Sequence, residues 1–163
     1  MTSDQLMQDA KKYGNAYTSH LSSNYAPLLD GIYTVENRGI VGDPTKAISP
    51  KGAAGTYQVM PGTYKLIQKA LPNKWRNIPF VSIIRSPLLS REVSGDLMDL
   101  NRQSQIDNGI VPTEETLVAN HNLSLKGIIA HEKNGTPYPK ETQDYLGYYA
   151  KFKKLRKGKS NGR

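Results

Sequence analysis

The 163-residue sequence has no cysteine, only two phenylalanines and one tryptophan, and no apolar run approaching the length of a membrane span. The absence of cysteine excludes a disulfide framework and a thiolate nucleophile, and leaves the redox compartment open. Histidine is scarce too. His20, His121 and His131 are scattered, and none makes the His-x-x-x-His or His-Glu-x-x-His spacing that sets two ligands on one helix face, so neither a metal nor another cofactor is expected. The N-terminal stretch lacks the basic start and apolar core of a secretory signal. A protein made in the cytoplasm with this start needs another route to any site outside it.

Acidic residues are missing from one segment. Residues 151–163 contain Lys151, Lys153, Lys154, Arg156, Lys157, Lys159 and Arg163 and no acid, so the formal net charge of +8 falls to +1 over residues 1–150. The basicity belongs to the tail, which reads either as a solvated, frayed terminus or as an electrostatic attachment to a polyanion such as peptidoglycan, teichoic acid or nucleic acid.

The rest is long enough for one domain with a real core, and its punctuation is helical. Leu6, Met7, Ala10 and Tyr13 follow helical spacing up to Gly14. Pro27 and Gly39 bracket a helix whose apolar stripe is Leu28, Leu29, Ile32 and Val35. Pro61 opens another, halted by Pro72. Ser86-Pro87 starts a long one that runs through Leu88, Leu89, Val93, Leu97 and Leu100 toward Gly109. Thr113 with Glu114 and Glu115 makes a further N-terminus, and Pro139 precedes a last helix carrying Tyr145, Leu146, Tyr149 and Phe152. The compact apolar run at 77–84 is the one candidate for a strand or extended loop.

Two features point to chemistry. Glu36 follows Ile32 by four residues and Leu29 by seven, so its carboxylate shares the direction of an apolar stripe, where burial raises a carboxyl pKa toward what a general acid needs. Thirteen residues later, Ser49 to Thr63 combines Gly52, Gly55 and Gly62 with Pro50, Pro61 and a lone Gln58. Such small residues permit positive φ and close approach of a ligand, and the glutamine amide can both donate and accept.

The order of Glu36, the Ser49–Thr63 stretch, Asn122 in "VANHNLS", and Glu141-Thr142 with Tyr145 in "ETQDYL" resembles the soluble lytic transglycosylases, lysozyme-like enzymes that cleave peptidoglycan glycan strands. The resemblance covers roughly residues 28–150. It implies a mostly α, lysozyme-like α+β fold: a single helical domain over 25–150 with a small β or extended segment and a deep sugar-binding cleft, preceded by an N-terminal helical extension (1–24) and followed by the basic tail (151–163). It implies Glu36 as the sole catalytic acid and base, which protonates the glycosidic oxygen and then takes the proton of the muramoyl C6 hydroxyl as a 1,6-anhydro ring closes. Ser49, Gln58, Met60, His121, Asn122 and Tyr145 become substrate-binding or positioning residues. The implied partner is peptidoglycan, in the periplasm, with a bacteriophage virion or a secretion machine as the setting; nucleic acid is not an expected ligand.

The sequence also departs from the family pattern. Asn37 stands where a serine usually follows the acid, the loop before Ser49 is longer, Thr56-Tyr57 replaces Leu-Met, His121 replaces a tyrosine and Ser124 a glycine. The alternatives are a hydrolytic muramidase in which Asp43 of the lengthened loop supplies the second carboxylate, and a non-catalytic virion component that binds wall polymer or nucleic acid.

Overall fold

The computed structural model describes residues 8, 11–39, 42–49 and 52–161. Leu6, Met7 and Ala10 of the expected N-terminal stripe lie outside these, as do Pro50, Lys51 and Arg163. The fold is mostly helical: α1 (Ala26–Glu36), α2 (Pro61–Ala70), α3 (Pro72–Trp75), α4 (Phe80–Arg85), α5 (Pro87–Asp107), α6 (Glu114–Asn122), α7 (Leu125–Asn134) and α8 (Lys140–Asn161), with short 3-10 turns at Asn15–Tyr17, Ser19–Leu21 and Pro44–Lys46. Among the described residues no strand forms; extended pairing is confined to the isolated antiparallel bridges Ile48–Ala54 and Ala54–Val59.

The helix ends follow local chemistry. Pro61, Pro72 and Pro87 each occupy a first helical position, where a missing N–H costs nothing. Gly14, Gly39 and Gly109 each take a positive φ beyond the helical residues they follow. Thr113 caps α6 in a reciprocal box with Thr116, and the Ser86 hydroxyl accepts from the Leu89 N–H in the first turn of α5.

The apolar run at 77–84 is not a strand. Pro79 takes extended angles and caps the short helix α4, in which Ile83 is buried and Val81 exposed. No neighbouring strand is available among the described residues to pair with it, and the Ser90 hydroxyl takes the Ile83 carbonyl instead, at 2.6 Å.

Contacts group the chain into two compact units. The first comprises Met1–Leu29 and Glu36–Leu97. Its buried side chains include Leu29, Tyr57, Val59, Ile67, Ile83, Leu89 and Val93, and Tyr64 meets Trp75 edge-on at 6.1 Å between ring centres. The second comprises Asp30–Val35 and Met98–Arg163. Its core is Ile110, Ala119, Ile128 and Tyr138, with Leu123, Ile129 and Leu146 against them; α6 packs on both α7 and α8.

The basic segment continues α8 without a break to Asn161. Lys153 pairs with Glu114 at 2.7 Å and Arg156 with Asp30 at 3.0 Å, so two of its cations are paired with acids of the same unit. Tyr149 adds a 2.5 Å hydrogen bond to the same Glu114. Desolvation would raise the Glu114 carboxyl, but the bonds from Lys153 and Tyr149 hold it below its ordinary range.

Candidate functional site

The stretch from Ala47 to Met60 is a doubled-back turn built largely from its own backbone. Ala54 and Val59 exchange N–H···O bonds of 3.0 Å, Gly55 N–H reaches Ala47 O, and Gln58 N–H reaches Gly55 O. Gln58 itself stands at φ 51°, a left-handed conformation that side chains disfavour. Its amide explains how it stays there: Nε2 donates to Gly55 O at 2.9 Å and to Ala47 O at 3.2 Å, bracing both arms of the turn. Ser49 is used in a similar way, its hydroxyl accepting from Ala53 N–H at 3.1 Å.

The glycines divide by role. A Cβ at Gly55 would sit 3.0 Å from the Ile84 carbonyl oxygen, so this residue is small because α4 lies against it. A Cβ at Gly52 or Gly62 would meet no described residue within 4 Å. Thr56 and Tyr57 are buried in the turn, and Met60 stands 38% exposed at the N-cap of α2.

Glu36 is the last residue of α1 and is half-buried, one residue beyond the buried Val35. Its neighbour Asn37 donates from Nδ2 to Thr56 O at 2.7 Å. Asn37 thus fastens the end of α1 to the glycine-rich turn. Asp43 is occupied otherwise. It is an exposed N-cap whose Oδ1 accepts from Thr45 N–H at 3.0 Å and Thr45 Oγ1–H at 2.8 Å, bonds that lower its pKa.

The other three candidates belong to the second unit, where the two later motifs meet. Thr142 Oγ1 donates to Asn122 Oδ1 at 2.8 Å, which fixes the Asn122 amide at the end of α6. The ring of His121 stacks on that of buried Tyr145, with centres 6.4 Å apart and planes 29° from parallel. His121 therefore packs as a flat ring in the place where a tyrosine was expected.

A second polar centre went unnoticed in the sequence. His20 is buried, with Nδ1 2.8 Å from Ser23 Oγ and Nε2 3.0 Å from Asp96 Oδ1. Asp96 Oδ2 accepts from Trp75 Nε1 at 2.8 Å and pairs with Lys74 at 2.9 Å. Glu92 accepts from the Ser19 hydroxyl, from the Ser19 and His20 N–H groups, and from Lys74. Burial alone would push the Asp96 carboxyl up, but hydrogen bonds from His20, Lys74 and Trp75 bring it below its usual range.

The ligand atoms of His20, Glu92 and Asp96 lie within 4.8 Å of one another, a spacing that a cation could bridge. Lys74 already supplies a positive charge to both carboxylates, and both imidazole nitrogens are engaged. The cluster reads as a buried ionic tie between the N-terminal turns and α5. Arg91 extends it, donating to His20 O, Ala26 O and the Tyr57 hydroxyl. The signal available in the sequence was Glu92 and Asp96 set four apart amid the apolar stripe of α5.

No family model matches the chain, and no curated protein or solved structure matches it.

Proposed function

We propose that the protein is a lysozyme-like lytic transglycosylase, with a deep sugar-binding cleft, that cleaves the β-1,4 bond between N-acetylmuramic acid and N-acetylglucosamine in bacterial peptidoglycan. Cleavage consumes no water and leaves 1,6-anhydromuramoyl ends. The observation that carries this reading is the 2.7 Å bond from Asn37 to Thr56 O, which fastens the end of α1, where half-buried Glu36 stands, to the turn that carries Gln58 and Met60. The joining of Asn122 to Thr142 and of His121 to Tyr145 supports it, since the two later motifs then meet in one place.

The chemistry requires one carboxylic acid used twice. Protonated Glu36 gives its proton to the departing glycosidic oxygen. The resulting carboxylate takes the proton of the muramoyl C6 hydroxyl as that oxygen bonds to C1 and closes the ring. With the Gln58 nitrogen directed into the turn, Oε1 is the part of this side chain offered to a sugar hydroxyl. Asp43 is committed to its cap, which favours the anhydro product over hydrolysis. The setting that suits this activity is the periplasmic wall, with the protein carried by a virion or a secretion machine.

Mass spectrometry of digested purified sacculi tests the reading. Muropeptides lighter by one water, and their loss in a folded Glu36→Gln variant, are expected, with a fall in rate of at least about 10²-fold for removal of a general acid. Fully hydrated products would reassign the reaction to hydrolysis. Equal lysis by wild type and variant would remove Glu36 from the chemistry.

A further inference from the structure

α2 leaves the glycine-rich turn and carries Lys65 and Lys69 four residues apart, on one face. With Gln68, Pro72 and Arg76 they line a cavity of about 400 Å³. Like charges at this spacing repel, and no acid is among the described lining residues. Lys74, Lys140, Lys153 and Arg156 each hold a carboxylate, whereas none of the three cavity cations pairs with a described residue.

The backbone that carries the third cation is fixed. Tyr64 donates its hydroxyl hydrogen to Ile78 O at 2.6 Å, and Gln68 Nε2 reaches Trp75 O at 3.2 Å and Ile78 O at 3.3 Å. These bonds tie the 75–78 turn onto α2, and Arg76 rides on that turn. The result is an open, mostly apolar hollow whose lining carries Pro72 and three cationic side chains, with the aliphatic stems of the lysines available to an apolar part of a ligand. Its volume lies in the range of small-ligand sites. A bare phosphate would leave the apolar floor uncovered, and a neutral ligand would leave the cations without partners.

We infer that this cavity binds a short acidic peptide carrying two or more carboxylates. The class of ligand follows from the cavity. Its source, the carboxylate-bearing peptide stems of the wall polymer, rests on the proposed function, and the site would then hold the stem while the glycan is cut.

Calorimetric titration of the full chain with the tripeptide L-Ala-γ-D-Glu-diaminopimelate tests this, with its fully amidated form and inorganic phosphate as the other probes. The tripeptide is expected to bind. Affinity should fall about tenfold or more in Lys65→Gln/Lys69→Gln and again in Arg76→Gln, as expected for loss of charge-assisted bonds. All three residues are exposed, so the variants should melt like wild type. Equal affinity for the amidated peptide, unchanged affinity in the variants, or phosphate binding as tightly as the tripeptide would overturn the inference. No glycan is present in this experiment. A failure of lysis therefore leaves it standing, and a failure of peptide binding leaves the glycan chemistry standing.

Discussion

Trp75 donates its indole hydrogen to Asp96 at 2.8 Å, and the other oxygen of that carboxylate lies 3.0 Å from the His20 ring. A single side chain on α5 thereby joins the α3 turn to the N-terminal 3-10 turn. Its energetic weight is that of a buried, multiply bonded charge, for which losing one partner costs several kcal/mol.

Asp96→Asn is expected to lower unfolding free energy at neutral pH by about 3 kcal/mol, because Lys74 loses its closest carboxylate. The pH dependence has a definite sign. The folded Asp96 pKa lies below the unfolded value of 3.8, so its contribution is complete above that value and drains as pH falls through it toward the folded one. Denaturant melts between pH 2.5 and about 7 should show an acid-side loss in wild type that is smaller in the variant. Parallel profiles would contradict this.

Two helical glycines should respond oppositely to alanine. At Gly95 a methyl group would overlap the His20 ring, so Gly95→Ala should destabilise by about 1–3 kcal/mol through overpacking. At Gly147, inside α8, an added methyl group would meet no described residue within 4 Å, and Gly147→Ala should stabilise by about 0.5–1 kcal/mol through helix propensity. Thermal melts of the two variants check the pair, and a shared sign would refute the argument.

At Gln58 the usual ranking of alanine over glycine should invert. Both substitutions remove the amide bonds to Ala47 and Gly55, so that loss cancels between them. Alanine keeps a Cβ at φ 51° and glycine does not. Gln58→Ala should therefore be the less stable of the two by about 1 kcal/mol in chemical denaturation.

Much of the helical frame was legible because its signals are local. Pro61, Pro72, Pro87 and Gly109 mark boundaries through their own backbone chemistry and Thr113 through its hydroxyl, and the structure uses them at those places. The run at 77–84 misled because a short apolar segment has no period that separates strand from buried helix, and Pro79 then served as a cap. Interactions across long separations were not legible. His20 meets Asp96 76 residues away, and Arg156 meets Asp30 126 residues away, with no local pattern announcing either. Of the candidate residues, Gln58 was expected to read a sugar, and its nitrogen turned out to brace the loop that holds it.

The unbroken course of α8 through the lysine-rich segment changes how the protein should be handled at the bench. Trimming the chain after Ala150, as one would a dispensable tail, would strip Asp30 and Glu114 of the counter-ions supplied by Arg156 and Lys153. A shortened version prepared to improve solubility would lack both ion pairs, and its behaviour should not be read as that of the full sequence.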